Sequence, residues 1–61
     1  MIGTTYYKYD IKSVKLLTRT EYGYTLKEIF VDGRETTREL FLHEAVAMLE
    51  QQSGWKLKVL D

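Results

Sequence analysis

The sequence contains no cysteine, no proline and a single histidine among its 61 residues. The absence of cysteine excludes disulfides and cysteine-ligated zinc, and one histidine cannot supply a histidine-rich metal site. No apolar run approaches the roughly 20 residues that a membrane-spanning helix needs, and residues 1–10 lack the apolar stretch of a signal peptide. We therefore expect a cytoplasmic protein that holds no cofactor or metal and has no membrane segment.

An excess of charge of one sign is also missing, because nine basic residues balance nine acidic ones. A nucleic-acid-binding domain usually has a basic excess. The charges are unevenly placed, since residues 1–20 carry four basic side chains and one acidic (+3), whereas residues 21–52 carry three basic and seven acidic (−4). Mixed neutral surfaces are the norm, so we expect these two segments to pair in the fold.

The length predicts a single domain over residues 1–61. A domain of this size buries only about 60% of the surface of its unfolded chain. Without disulfides or a metal, its stability has to come from packing and from association with another chain. We therefore expect the protein to self-associate as a homodimer.

The first predicted strand covers residues 6–18, which are rich in Tyr, Ile, Val, Thr and Leu. Apolar side chains occupy odd positions at first and even positions from Val14 onward. One extra residue would absorb this shift, so we predict a β-bulge near Ser13. A turn at residues 21–23 and a second strand over residues 24–31 complete a predicted hairpin.

A turn is predicted at Asp32-Gly33, and the segment after this turn has two interpretations. Asp-Gly favours a type I′ turn with positive φ at both central residues. If residues 34–41 then form a strand, a two-residue turn places Lys27 opposite Arg38, which is an unfavourable like-charge pair. The other interpretation is that these residues begin a helix.

The helix is predicted over residues 37–52. Thr36 and Glu39 fit a capping box at its start, which leaves a third strand of at most residues 34–36. Gly54 suits the helix stop. The helix has one apolar stripe, which consists of Leu42, Ala45, Val46 and Leu49.

These elements predict an α+β fold with a small antiparallel sheet of three to four strands, in the order β-β-(β)-α-β. A last strand over residues 55–60 has alternating apolar side chains, and the helix packs on one face of the sheet. The predicted core consists of Ile11, Val14, Leu16, Leu26, Phe30, Leu42, Ala45, Val46, Leu49, Trp55, Leu57 and Val59.

Residues for catalysis are not apparent. His43-Glu44 matches the start of a zinc-protease helix, but the position of the second histidine is Ala47. The glutamates are expected on a solvated face, and no histidine is placed to activate a hydroxyl. We therefore expect no catalytic residues and a protein that is not an enzyme.

Tyrosines are concentrated in the first strand and around the following turn. Neighbouring Tyr6 and Tyr7 must point to opposite faces of a strand, so a helix on one face leaves at least one of them exposed. Tyrosine is enriched at protein interfaces. The candidate partner-binding residues are Tyr6, Tyr7, Tyr9, Tyr22, Tyr24 and Glu28.

The sequence, with its elements in this order, resembles three protein families. The pattern L-H-E-A-V-A-M-L-E followed by G-W-K-L-K-V-L, within residues 42–60, is similar to the helix and last strand of T7-type phage inhibitors of bacterial RNA polymerase. Tyr9-Asp10-Ile11, a hairpin, a helix and a closing K-L-K-V-L resemble the small phage inhibitors of uracil-DNA glycosylase. The strands followed by a helix also resemble the arm-type DNA-binding domains of phage integrases, which use a basic sheet face.

The first two resemblances imply a small protein that blocks a larger host enzyme. We therefore expect a non-catalytic protein-binding module, specifically a phage or mobile-element inhibitor, whose partner is a host enzyme. The alternatives are a nucleic-acid-binding domain that uses the basic strand face, and a structural or assembly subunit. A nucleic-acid-binding surface would use Lys8, Lys12, Lys15, Lys56 and Lys58.

Overall fold

The computed structural model describes residues 3–58 of the chain. These residues form five strands and one helix, and the predicted α+β class is confirmed with five strands where three to four were expected. In chain order the elements are β1 (Thr5–Tyr9), β2 (Ser13–Arg19), β3 (Gly23–Phe30), β4 (Glu35–Phe41), α1 (Leu42–Gln51) and β5 (Lys56–Lys58).

All five strands belong to one antiparallel sheet with the order β4-β3-β2-β1-β5. The helix follows β4 at one edge of the sheet, and the chain then returns to pair β5 with β1 at the other edge. We call the side of the sheet on which α1 packs the helix face and the opposite side the open face. The tyrosine-rich β1 is therefore an inner strand.

The core lies on the helix face. Leu17, Leu40 and Ala45 are at most 4% exposed. Tyr6, Leu17 and Leu26 are paired across β1, β2 and β3, and directly opposite residues share one face of a sheet. The partly buried side chains that pack around the core are Tyr6, Tyr24, Leu26, Met48, Leu49 and Trp55.

The predicted bulge near Ser13 is wrong, because a tight turn separates β1 from β2. The Asp10 backbone N–H donates to the Ser13 carbonyl oxygen at 2.8 Å. Residues 10–12 thus form a hairpin connection that shifts the apolar pattern by one position. Ile11 lies in this turn and is 97% exposed, so its assignment to the core is also wrong.

The turn between β3 and β4 has three residues and not two. The Phe30 N–H donates to the Arg34 carbonyl oxygen at 2.8 Å, and the Gly33 N–H donates to the Phe30 carbonyl oxygen at 3.0 Å. Gly33 has φ +93°, whereas no non-glycine residue of the described range has positive φ. The predicted type I′ geometry is therefore wrong, and the loop is typical of a hairpin that ends in a left-handed glycine.

This third loop residue shifts the register of β4 by one position. Lys27 consequently faces Thr37, and the like-charge pair with Arg38 does not form. Lys27 Nζ instead lies 3.0 Å from Glu35 Oε1. The objection to a third strand disappears, so residues 35–41 are strand throughout and the predicted helix start at residue 37 is wrong.

The helix begins at Leu42, directly after β4. The Phe41 N–H donates to Glu44 Oε1 at 3.1 Å, which is the glutamate half of a capping box shifted five residues from the predicted one. The predicted helix stop at Gly54 is wrong, because the helix ends at Gln51 and its C-cap is Gln52, which has extended backbone. Gly54, with φ +94°, lies in the loop that leads to β5. Ala45 and Leu49 contact the core, whereas Leu42 and Val46 are 45% and 40% exposed at its margin.

Three further core assignments differ from the structure. Val14 and Leu16 share the open face with Tyr7 and Tyr9, because the helix packs on the other side of the sheet, where Leu17 lies. Leu57 is 52% exposed on the short β5. Val59 and the predicted end of the last strand lie outside the described residues.

Within residues 3–58, ion pairs do not join the two oppositely charged segments. Each of the four ion pairs among residues 3–58 connects two residues of the same segment. The expected pairing of residues 1–20 with residues 21–52 is therefore not made by ion pairs in this part of the chain.

Candidate protein-binding face

The open face is the part of the molecule that the fold leaves uncovered, since no element within residues 3–58 packs on it. Its centre is apolar. Strand pairing places Tyr9, Val14 and Ile29 in one row across β1, β2 and β3, and Tyr7 and Leu16 in the next row. We call these five residues the open-face patch.

The patch has a stable tyrosine edge. The rings of Tyr7 and Tyr9 lie 5.5 Å apart at an interplanar angle of 74°, which is a favourable edge-to-face arrangement. Tyr9 is 74% exposed, whereas Tyr7, Val14 and Leu16 are half-buried by their neighbours in the sheet. The patch is thus a partly exposed apolar surface with one prominent aromatic ring.

Charged residues border the patch on two sides. Lys56 and Lys58 lie on the open face of β5, opposite Tyr7 and Thr5. On the other side, Glu35 and Glu39 lie on β4, opposite Ile29 and Thr25. The open face therefore changes from basic at the β5 edge to acidic at the β4 edge.

Two shallow depressions adjoin the patch. One, of about 280 Å³, is lined by Tyr7, Tyr9, Val14, Leu16 and Lys58. The other, of about 310 Å³, lies beside the first and is lined by residues that include Tyr9, Val14, Ile29 and Val31. Such depressions can accept side chains of a partner, which is a typical property of a binding surface.

The structure divides the predicted partner-binding residues between separate surfaces. Tyr7 and Tyr9 lie together on the open-face patch. Tyr6 and Tyr24 lie on the helix face and pack against the core, and the Arg19 guanidinium lies over the Tyr24 ring at 5.6 Å from its centroid. These last two tyrosines therefore contribute mainly to folding.

The remaining two candidates lie apart from the patch. Glu28 is on the helix face, where its Oε2 accepts a hydrogen bond from the Ser13 hydroxyl at 2.7 Å. Tyr22 is 88% exposed in the turn between β2 and β3. It lines a depression with Phe41, whose ring stacks on His43 with centroids 5.9 Å apart.

Sequence reasoning missed the aliphatic half of the patch. Val14 and Leu16 were assigned to the core and Ile29 was not assigned to a site. The signal that could have found them is the pairing of Tyr9 with Val14 across a tight turn, because it fixes which residues of β2 share a face with the tyrosines.

The lysines that a nucleic-acid surface would use do not share one face. Lys8 and Lys15 are on the helix face, where Lys8 Nζ lies 6.0 Å from the Trp55 ring centroid and Lys15 Nζ lies 3.3 Å from Asp10 Oδ2. Lys56 and Lys58 are on the open face. The two pairs therefore point to opposite sides of the sheet.

Metal-binding clusters and membrane-spanning helices are both absent from residues 3–58. This part of the chain contains no group of three or more histidine, aspartate or glutamate residues that could hold a metal ion. Its single helix is too short and too polar to cross a membrane.

Comparison with known proteins gave no relative. The chain matches no protein-family model, and neither the curated proteins nor the solved structures contain a significant match. The resemblances to phage inhibitors and to integrase arm-type domains therefore stay predictions from sequence.

Proposed function

We propose that this protein is a small non-catalytic module that binds another protein through the open-face patch. The observation that carries the proposal is the grouping of Tyr7, Tyr9, Val14, Leu16 and Ile29 on the uncovered side of the sheet. Contiguous apolar surface bordered by polar residues is typical of protein interaction sites.

The geometry of the patch suits a protein partner in particular. Interfaces have an apolar centre and a charged border, with aromatic residues enriched at the centre. The patch has this arrangement, because Tyr9 projects from aliphatic neighbours and the charged borders, Lys56 and Lys58 on one side and Glu35 and Glu39 on the other, lie on the outer strands. Tyr9 should dominate the binding energy, since large exposed aromatics are frequent hot spots.

The more specific form of the proposal is an inhibitor of a host enzyme that acts in the cytoplasm. Its support is the resemblance of the helix and closing strand, L-H-E-A-V-A-M-L-E and G-W-K-L-K-V-L, to phage inhibitors. A rigid sheet face that presents an aromatic anchor could cover the substrate-binding surface of a larger protein.

A second candidate function is binding of single-stranded nucleic acid. Lys58 lines the same depression as Tyr7 and Tyr9, and the combination of stacking aromatics with nearby lysines is used by single-strand binders. The neutral net charge and the division of the lysines between two faces favour the protein partner.

The test is an affinity capture from nuclease-treated host lysate with the wild-type protein, Tyr9→Ser and Tyr22→Ser. Both tyrosines are highly exposed, at 74% and 88%, so both variants should keep their fold. Burial of about 100 Å² of Tyr9 surface is worth about 2.5 kcal/mol, which predicts a loss of about 50- to 100-fold in affinity for Tyr9→Ser. Tyr22→Ser is the matched control and should retain the partner.

Three results would contradict the proposal. Equal capture by Tyr9→Ser and the wild type would remove the patch from the interface. Loss of all captured protein after nuclease treatment, with binding of the purified protein to single-stranded DNA at about 150 mM salt, would favour the second candidate function. Capture of no partner from the lysate, together with a wild-type protein that is monomeric in solution, would leave the patch without a binding role.

A further inference from the structure

The charges on the open face are arranged as two complementary borders. Glu39 lies on β4 at one edge of the sheet, and Lys58 lies on β5 at the other edge. Both residues belong to the same cross-strand row, which runs from Lys58 through Thr5, Thr18 and Thr25 to Glu39. Four strand spacings of about 4.8 Å separate the two edges by about 19 Å.

We propose that the open-face patch also binds a second copy of this chain, packed open face to open face about a two-fold axis parallel to β2. This inference rests on the proposed protein-binding function of the patch and adds a second copy of the chain to the proteins that the patch binds. Face-to-face packing of two sheets with nearly aligned strands is a common arrangement, and two-fold symmetry is by far the commonest in homo-oligomers.

A two-fold axis parallel to the strands reverses the strand order of the second copy relative to the first. Each cross-strand row then faces the same row of the second copy. β2 then faces β2 of the second copy, β1 faces β3, and β5 faces β4. In the first row Val14 faces its own copy and Tyr9 faces Ile29. Leu16 faces its own copy in the second row, so apolar residues meet apolar residues in the centre.

The same operation matches the charges. In the outer row Lys58 of each copy faces Glu39 of the other, and both ion pairs form by symmetry. In the second row the Tyr7 ring faces Lys27, which can add a cation–π contact. One symmetry operation thus brings the apolar centres together and pairs Lys58 with Glu39, while Lys56 faces Thr37 and Glu35 keeps its ion pair with Lys27 of its own chain at 3.0 Å.

A two-fold axis perpendicular to the strands fails on both counts. It would place β4 against β4, so Glu35 and Glu39 would lie among glutamates of the second copy. It would also place the apolar row of Tyr9, Val14 and Ile29 opposite the row of Thr5, Thr18 and Thr25 of the second copy. Like charges across an interface are unfavourable and disfavour that pairing.

The test is sedimentation equilibrium of four proteins: the wild type, Glu39→Lys, Lys58→Glu and the double variant. The range should extend to about 500 µM, because interfaces of small area bind weakly. Each single reversal replaces two attractive pairs by two repulsive ones, so the dimer Kd should rise about tenfold at low salt. The double variant restores opposite charges across the interface and should return the Kd to within about twofold of the wild type.

Glu50→Lys is the matched control for net charge. Glu50 is exposed on α1, away from the open face, and its reversal changes the net charge by the same amount as Glu39→Lys. The dimer Kd of this variant should not change. Since every substituted residue is exposed, a far-UV circular dichroism spectrum should confirm that each variant is folded.

Two outcomes overturn the inference. One is a wild-type protein that stays monomeric up to about 500 µM, where even weak interfaces associate. The other is a dimer whose Kd fails to return in the double variant or changes equally in Glu50→Lys. If the wild type is monomeric while Tyr9→Ser still loses a partner from the lysate, only the self-association inference fails and the proposed function stands.

Discussion

Two neighbouring leucines should differ sharply in their contribution to stability. Leu17 is fully buried at 0% exposure on the helix face, whereas Leu16 is half-buried on the open face. Leu17→Ala removes buried methyl groups and leaves a cavity, which costs about 3–5 kcal/mol. Leu16→Ala loses only part of its transfer free energy, about 1 kcal/mol, and opens no enclosed cavity.

The magnitude is large for a chain of this size. At about 0.05–0.15 kcal/mol per residue, a domain of this length has an unfolding free energy of about 3–9 kcal/mol. Leu17→Ala would therefore remove a third or more of the free energy of unfolding. A result in which the Leu17→Ala variant is unfolded and the Leu16→Ala variant is folded would agree with the structure.

The measurement is urea unfolding of both variants, followed by far-UV circular dichroism at the lowest practical protein concentration, so that self-association does not contribute. The pattern of apolar residues in the sequence places Leu16 in the core, and the structure places Leu17 there. A loss for Leu16→Ala that equals or exceeds the loss for Leu17→Ala would refute the assignment of the two faces.

Three further substitutions test local features of the fold. Gly23→Ala should cost about 3 kcal/mol in urea unfolding, because its Cβ would overlap the Leu40 carbonyl oxygen; Gly33→Ala, which meets no atom within 4 Å but has φ +93°, should cost only about 1–2 kcal/mol. An equal loss would contradict the close approach of β4 to Gly23. Trp55→Phe should change the unfolding free energy by less than about 1 kcal/mol. The buried Trp55 Nε1 has no hydrogen-bond partner among the described residues, so its removal ends the cost of burying an unpaired donor and offsets the packing that the smaller ring loses. A loss as large as that of Trp55→Ala would show that Nε1 is paired.

The class of fold was predictable because its strongest signals are local. β-branched and aromatic residues identified the strands, and the stripe that contains Ala45 and Leu49 identified the helix. These features depend on residues close in sequence, so the tertiary structure does not alter them.

The buried faces of the strands were not predictable. A tight turn at residues 10–12 and a bulge near Ser13 both put Val14 and Leu16 on the face of Tyr7 and Tyr9, so neither decides which face the helix covers. The register of β4 was also unknown, because a third residue in the loop before Arg34 decides whether Lys27 faces Arg38 or Thr37. One residue in either loop exchanges the two faces of a strand.

Two of the five residues of the candidate site followed from composition. Tyr7 and Tyr9 were predicted as partner-binding residues because tyrosines are concentrated in the first strand and tyrosine is enriched at interfaces. Val14, Leu16 and Ile29 could join them only when the register was known. Tyr6 and Tyr24 were also predicted as partner-binding residues, but they lie on the helix face and pack against the core.

The most direct test of the central claim, that the open face binds a protein, is the affinity of the purified captured partner for Tyr9→Ser and for Tyr22→Ser. Isothermal titration calorimetry would measure both against the wild type. We expect a loss of about 50- to 100-fold for Tyr9→Ser and a change of less than about threefold for Tyr22→Ser. Wild-type affinity for Tyr9→Ser with a large loss for Tyr22→Ser would place the interface at the turn between β2 and β3 and contradict the account.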